Sequence, residues 1–388
     1  MNMTDVVIAG VGQTPVGEHW NTSIRELSLQ AIEAAIVDSG GIQPQALFVS
    51  NMLAQTISSQ ANLATLVADF AGLTGTEAVS VEGAGASGGM ALRQAYMMVA
   101  AGAADAVLVC GVEKITDMTG SGVEAAISTA VDSDYEAVHG LTPAAQAALL
   151  MQRYLHEFEL GHESLAGFPV TAHANGVSNP NAMFRRAIKV EAYTRAGVAS
   201  DQLNMFDIAP NADGSAALLL TRRDLLPPHL TKPQVRISGS SSVSDTLALH
   251  DRQDLLTFLA ARLSAERALR QAGILPADID LFELFDAYSI FAALSLEAAG
   301  FAERGAGWQL AQDGQINLDG SLPISTFGGL KARGNPGGAT GVYQVVEAVA
   351  QLRGQAGDNQ VKDARRAMVQ SLGGPASSAA THVLERVE

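Results

Sequence analysis

Thr326 to Gln344 reads TFGGLKARGNPGGATGVYQ, six glycines and one proline in nineteen residues, and runs without a break into VVEAVAQLRG. Glycine at that density costs backbone entropy and is kept where a chain needs positive φ or must let another backbone or a ligand come close. After Gly341 the apolar positions Val342, Val345, Val346 and Val349 recur at helical spacing, so the loop feeds a helix N-terminus. Such a junction presents unpaired N–H groups at the positive end of a helix dipole, a seat for an oxyanion or a carbonyl oxygen. The same glycines would equally serve a tight crossing of two buried helices. For this loop on its own, both readings stand.

A second loop of the same kind, Val81 to Met90 (VEGAGASGGM), follows the strand-like AVSV and leads into ALRQAYMMVAAGAADAVLVCGVEK. Both halves of the chain therefore carry a short glycine loop and a small-residue helix. These residues resemble a known family. GAGASGGMALRQAYMMVAAGAADAVLVCGVEKITD is similar to the nucleophile loop, central helix and next strand of thiolases, especially those of the sterol-carrier/lipid-transfer and archaeal type. GGLKARGNPGGATGVYQVVEA resembles that family's second-half loop, whose usual reading is Gly-His-Pro. The resemblance extends over essentially the whole chain, through VVIAGVGQTPVG, NPNAMFRRAIKVEAY, NADGSAALLL, ELFDAYSIFAALSLEAAG and SLGGPASSAATHVLE.

The composition bounds the partners. Of 388 residues 47% are hydrophobic and 16% charged, so the chain buries much of itself and has surface to bury in oligomers. A net charge of −16 argues against nucleic acid, which needs clustered Lys and Arg. A local basic patch could still hold the phosphates of coenzyme A; the groups available are Arg185, Arg186 and Lys189, Arg222 and Arg223, or Lys331 and Arg333. No apolar run reaches the roughly eighteen residues of a spanning helix, and MNMTD leads into a strand without a signal-peptide pattern. One cysteine leaves no intrachain disulfide framework and no cysteine-rich metal site. A cytoplasmic protein with no membrane segment is the simplest reading.

Along the chain, Asp5 to Gly12 reads as a buried strand ending in a glycine turn. Ser23 and Glu26 form a capping box ahead of a helix that stops at Gly40-Gly41. A strand at Phe48 to Met52, a helix from Gln60 to Ala71, a strand at Ala78 to Val81, the first loop with its helix, and a strand at Ala106 to Val112 follow. This alternation predicts a mostly parallel sheet covered on both faces. From about Thr116 the pattern loosens, and Val235 to Gly239 then restarts the theme of Asp5 to Gly12. A long amphipathic helix spans Leu255 to Gly273, and IDLFELFDAY gives a strand with an active-site end. The resemblance implies an α/β thiolase fold: two related β-α-β-α-β halves with mixed five-stranded sheets and buried central helices, plus a covering loop domain over the acyl-CoA site. The divisions expected are 1–235, including a loop domain at about 116–235, and 236–388.

The chemistry the resemblance implies uses a cysteine nucleophile, a second cysteine as α-carbon base, and a histidine on the thioester oxygen. Here the nucleophile position is Gly85, in Gly85-Ala86-Ser87-Gly88, and glycine can form no acyl-enzyme. The histidine is replaced by Asn335, which donates hydrogen bonds but exchanges no proton at neutral pH. The base cysteine is Ser371, in Ser371-Leu372-Gly373-Gly374, and the fourth position is Phe285, in Phe285-Asp286-Ala287-Tyr288. The single thiol, Cys110, sits in the apolar run VLVCGVE and reads as a buried hydrophobe. What survives is backbone: the N–H groups of Gly85 and Gly373 fall at the family's oxyanion-hole positions. Ser87 could add a hydroxyl or cap the helix.

Tyr288 and Tyr343 stand near the two loops, and a phenol becomes a general base where local donors lower its pKa from about 10. Lipid-transfer-type relatives lacking the cysteine/histidine set include retro-aldolases that split a β-hydroxyacyl-CoA without a covalent intermediate. The resemblance thus leaves three readings: an enzyme acting on a coenzyme A thioester with no bound cofactor, a non-catalytic subunit, or an active thiolase or ketoacyl synthase whose nucleophile lies elsewhere, which the lack of a second cysteine disfavours. Its relatives also pair with a small OB-fold, zinc-containing acyl-CoA-binding protein. The low charge fraction, with the family's habit of pairing the strand before the first loop across a two-fold axis, predicts a homodimer.

Overall fold

The computed structural model describes residues 5–387. In the first half β1 (Val6–Gln13), β2 (Ala46–Ser50), β3 (Glu77–Val81) and β4 (Ala106–Glu113) alternate with α1 (Ile24–Asp38), α2 (Leu63–Phe70) and α3 (Ser87–Ala100). Ser23 caps α1 by accepting from the Glu26 amide while the Glu26 carboxylate accepts from the Ser23 N–H, so the capping box forms as the sequence predicts. The helix predicted from Gln60 starts later, at Leu63, because Asn62 ahead of it takes left-handed backbone at φ 54°.

After β4 the chain leaves the sheet through α4 (Ser121–Ile127), α5 (Pro143–Glu157), α6 (Gly167–Gly176), α7 (Val190–Thr194) and the hairpin β5 (Val198–Ser200) and β6 (Leu203–Asn204). It returns as β7 (Gly214–Arg222). The second half follows as β8 (Gln234–Ser244), α8 (Leu259–Ala272), β9 (Leu281–Glu283), α9 (Ser289–Ala298), α10 (Gly307–Gln312), α11 (Thr340–Arg353), β10 (Arg366–Gly373) and β11 (Ser378–Val387).

The strands form one nine-stranded sheet in the order β3-β2-β4-β7-β1-β8-β11-β10-β9. Within the first half β3, β2 and β4 are parallel, and β7 and β1 continue antiparallel. The second half repeats this: β9 and β10 are parallel, and β11 and β8 antiparallel. The halves meet through a short β1–β8 pairing, Val7 with Arg236 and Ile8 with Val235. The mixed α/β architecture is as expected, but the sheet is not mostly parallel: five of its eight neighbouring pairs are antiparallel, all of them made by the central strands β7, β1, β8 and β11. β11 follows β10 through a short turn rather than a helical crossover, so that pair runs antiparallel. The strand count also differs. The fifth strand of the second half shrinks to a single parallel bridge from Phe282 to Ile324. Pro323 on one side has no N–H to donate, and Ser325 on the other turns the chain at φ 46°.

The two central helices, α3 and α11, each span 14 residues and each follow a 3₁₀ turn, Ala84–Ala86 and Gly337–Ala339. They cross at their N-terminal ends with backbones touching. A Cβ on Gly88 would lie 2.7 Å from the Val342 nitrogen, and one on Gly341 would lie 2.6 Å from the Gly89 nitrogen. The helix-crossing reading of the glycines is therefore realised, and it is the crossing that sets the two loops side by side. Among the described residues no helix is long and apolar enough to cross a membrane.

Because neither backbone can withdraw, Gly341→Ala should lower the free energy of urea unfolding by about 1–3 kcal/mol, the scale of core overpacking. Gly197→Ala, where an added Cβ meets nothing within 4 Å, should stay within about 0.5 kcal/mol of the parent. Equal effects of the two substitutions would refute the touching crossing.

Candidate active site

A cavity of about 390 Å³ opens where the two glycine loops meet. Its floor carries Gly85, Asn335, Gly337 and Gly374. Residues of the β4–β7 excursion close it from the other side, among them Glu124, Gln146 and Ile208. One strip of chain joins the layers: Ala209 donates its N–H to the Ala287 carbonyl at 2.8 Å, and Ala212 donates to the Asn335 carbonyl at 3.1 Å.

Glu113, at the end of β4, holds the floor in place. It is fully buried, and its carboxylate accepts from Asn51 Nδ2 and from the N–H groups of Met52, Leu53 and Gly338 at 2.8–3.1 Å. Burial pushes its pKa up to about 7 against those donors. Gly337, at φ 43°, leaves room for this carboxylate, since a Cβ there would lie 2.7 Å from Glu113 Oε2. The apolar run VLVCGVE ends in a charged residue, and that is the signal by which the sequence could have shown it.

Gly85 lines the cavity but has no room for a side chain. An added Cβ would sit 2.6 Å from Phe285 Cζ and 2.5 Å from the Leu372 carbonyl oxygen. The ring of Phe285 thus occupies the space a nucleophile would need. Ala84, immediately before, holds φ 51° without being glycine, a strained conformation at the cavity wall. Ser87 acts as a local clasp: its hydroxyl donates to the Ala84 carbonyl at 2.6 Å and accepts from the Gly83 N–H at 2.9 Å. Cys110 is fully buried in the core between β4 and α1, and burial pushes its thiol up to about 11.

Asn335 is oriented by its neighbours. Its Oδ1 accepts from the Thr340 hydroxyl at 3.1 Å, which leaves Nδ2 as the group able to donate to a ligand. Tyr288 also lines the cavity, and its hydroxyl has no hydrogen-bond partner among the described residues. Burial, with the Glu124 carboxylate opposing ionisation, raises the phenol's pKa. This corrects the expectation of a lowered phenol: Tyr288 stays neutral.

Three other positions are not brought to the cavity. Tyr343 is fully buried, with its hydroxyl donated to the Thr14 carbonyl at 3.0 Å and its ring under the Arg333 guanidinium at 5.2 Å. Burial raises its pKa too, and its hydrogen bond to Thr14 ties α11 to the residue just after β1. Ser371 points into the helix crossing, its Oγ 2.3 Å from where a Cβ on Gly89 would lie. Gly373 is not on the cavity surface, although Gly374 is, and the Leu372 oxygen is the atom of that peptide nearest Gly85. His382 is buried in β11 with Nε2 2.9 Å from the Gly89 carbonyl, and burial lowers it to about 4. His173, also buried, stacks on Phe184.

Among the basic groups, Lys331 and Arg333 are interior. Lys331 donates to the Asp207 carbonyl at 2.7 Å and is lowered to about 8 by burial, and Arg333 pairs with Glu347 at 2.6 Å. Arg222 pairs with Asp105 and Asp224. Arg185, Arg186 and Lys189 remain exposed and make no ion pair with an acidic side chain among the described residues.

This geometry, two crossing central helices with a glycine loop at each start, defines a family. Residues 6–224 match the model for the thiolase N-terminal domain, and residues 241–386 match the thiolase C-terminal domain-like model. The chain belongs to the thiolase family. It is 40% identical over 386 residues to an acetyl-CoA acetyltransferase of Methanothermobacter thermautotrophicus, covering 99% of this chain and 100% of that one. It is 28% identical to sterol carrier protein 2 of Bos taurus over 78% of this chain and 58% of that one. Among solved structures, the Ltp2-ChsH2(DUF35) aldolase superposes with a TM-score of 0.83 at 25% identity, covering 98% of each chain. An acetyl-CoA acetyltransferase from Syntrophomonas wolfei superposes at 0.76 with 17% identity, covering 99% of each, a likeness of fold.

Sequence reasoning placed Gly85, Asn335 and Tyr288 near one site and missed Glu124 and Gln146, which come from the excursion where no motif marks them. Steric coupling at the nucleophile position is testable. Gly85→Ala should cost about 1–3 kcal/mol by urea unfolding, and combining it with Phe285→Ala should cost less than the sum of the two. Additive costs would mean that the ring does not fill the Gly85 space.

Proposed function

We propose that this protein cleaves, or in reverse forms, the Cα–Cβ bond of a β-hydroxyacyl-CoA without a covalent intermediate. The observation that carries the reading is the pairing of an unpartnered Tyr288 hydroxyl with a free Asn335 Nδ2 on one cavity whose nucleophile position is closed by Phe285. The β-hydroxyl of the substrate gives its proton to the phenol oxygen as the phenol proton passes, through one water, to Glu124, whose carboxylate is near enough to oppose the phenol's ionisation. The electrons of the Cα–Cβ bond move into the thioester carbonyl, leaving an aldehyde or ketone and a thioester enolate. Asn335 Nδ2 donates to the enolate oxygen, and the proton returns to the α-carbon. The neutral phenol suits this relay better than a base acting alone, since a raised pKa leaves almost no phenolate at neutral pH.

The likeness to the Ltp2-ChsH2(DUF35) aldolase supports an aldolase reading and suggests a partner of that kind. Arg185, Arg186 and Lys189 are the exposed cations suited to the coenzyme A phosphates. The open edge strand β3, with Val79 40% exposed, suits pairing with a second copy. A non-catalytic role beside such a partner is the second reading, favoured by the replacement of all four family side chains.

The test is turnover of a β-hydroxyacyl-CoA, followed by release of the carbonyl product. Tyr288→Phe should lower the rate on the order of a hundredfold with little loss of stability. Glu124→Gln should lower it too. Tyr343→Phe should keep the rate and lose about 1–3 kcal/mol of stability, because it strips a buried partner from Thr14. Turnover unaffected by Tyr288→Phe, or absent with and without a DUF35-type partner, would sink the aldolase reading in favour of the scaffold.

A further inference from the structure

With no hydrogen bond to its hydroxyl, the phenol of Tyr288 is placed by its own backbone and by the ring of Phe291, 4.9 Å away. That backbone is held from the excursion. Asp207, Ile208 and Ala209 run antiparallel to Ala287, Tyr288 and Ser289. Ala209 donates its N–H to the Ala287 carbonyl at 2.8 Å, Ser289 donates to the Asp207 carbonyl at 3.0 Å, and Ile208 pairs with Tyr288 between them. Tyr288 is the N-cap of α9 and its side chain makes no cap bond, so the Asp207 carbonyl satisfies the first N–H of that helix. Ile208, Ala209, Ala287 and Tyr288 all line the cavity, which makes this clamp part of its wall.

The Asp207 side chain fixes the strip from behind. It is fully buried, and its Oδ1 accepts from the Tyr193 hydroxyl at 2.9 Å while its Oδ2 accepts from the Asn204 N–H at 2.9 Å. His162 Nε2 lies 3.1 Å from the same Oδ2. The donors also hold one another: the His162 and Tyr193 rings stack at 4.9 Å, and Asn204 Nδ2 donates to the Tyr193 carbonyl at 3.0 Å. Burial opposes the charge on Asp207, but the His162 hydrogen bond and the Lys331 ammonium outweigh it and hold the carboxyl below the usual carboxylate range. A buried carboxylate held this way cannot shift without leaving a donor unpaired.

We infer that Asp207 is a positioning residue for Tyr288: its carboxylate, gathered by Tyr193, Asn204 and His162, aims the phenol at the substrate through the strip Asp207 to Ala209. This rests on the reading of Tyr288 as the group that takes the β-hydroxyl proton. Asp207 touches no substrate, because its side chain is fully buried and is not on the cavity surface. It acts on the reaction only through where it puts the phenol. Proton transfer needs the phenol within hydrogen-bond reach of the β-hydroxyl, and a misplacement of about 1 Å can cost on the order of a hundredfold in rate.

The experiment is a double-mutant cycle in the β-hydroxyacyl-CoA assay. Asp207→Asn keeps the shape of the side chain but turns one accepting oxygen into a donor. It should lower kcat about tenfold and leave KM within about twofold, because a displaced phenol slows proton transfer and not binding. In the Tyr288→Phe background, where no phenol is left to aim, the same substitution should change kcat by less than about twofold. Tyr193→Phe removes a single donor and is the milder variant, with a severalfold loss of kcat and the same dependence on Tyr288; it carries the test if Asp207→Asn does not fold. Tyr343→Phe, which loses stability and keeps its rate, controls for destabilisation alone. A second readout needs no turnover. Protein labelled with 3-fluorotyrosine carries six fluorines, one per tyrosine, and the Tyr288 signal is the one lost in Tyr288→Phe. Asp207→Asn should broaden or move that signal and leave those of Tyr96 and Tyr343 in place. An equal loss of kcat with and without the Tyr288 phenol, or an unmoved Tyr288 signal, overturns the assignment and leaves the aldolase reading standing. A Tyr288→Phe protein as fast as the parent, or a parent with no turnover with or without a DUF35-type partner, overturns both.

Discussion

The fold and the site depend on one contact, the crossing of α3 and α11 at Gly88, Gly89 and Gly341. There the backbones lie closer than any side chain permits, with a virtual Cβ on Gly341 only 2.6 Å from the Gly89 nitrogen. Such closeness fixes both the angle and the register of the helices, and so fixes the loops that open them. Gly85 precedes one helix and Asn335 precedes the other. Each half supplies one wall, and neither wall is a site alone. The Glu113 carboxylate then ties the end of β4 to the second loop, joining the sheet to the cavity floor.

Within that frame the departure from the family chemistry is internally consistent. Gly85 carries no side chain, and the ring of Phe285 fills the space beside it, so a side chain at Gly85 would meet the ring. Ser371 takes a place in the helix crossing rather than facing a substrate. The polar side chains that line the cavity include Asn335, Tyr288 and Glu124. They suit chemistry in which charge is stabilised rather than stored in a covalent bond.

Much of this was legible in the sequence. Two glycine loops feeding small-residue helices gave the halves, and the restart at Val235 gave the repeat, because helix crossings demand small residues at fixed spacing. The replaced positions Gly85, Asn335 and Phe285 could be read directly. Tyr343 misled because nearness to a loop in the chain does not say which way a helical side chain points; it turns inward to Thr14. Glu124 and Gln146 escaped notice because a covering segment is positioned by tertiary packing, and its cavity-facing residues obey no local period. The missing fifth strand of the second half came down to Pro323 and the turn at Ser325.

The central claim is that the protein acts on a coenzyme A thioester without acylating itself. Intact-protein mass spectrometry during turnover of a β-hydroxyacyl-CoA tests it most directly, with the small-molecule products followed in the same samples. The account predicts a carbonyl product and a shortened acyl-CoA while the protein mass stays unchanged at every time point. A protein species heavier by one acyl group, formed and consumed on the timescale of turnover, would contradict it.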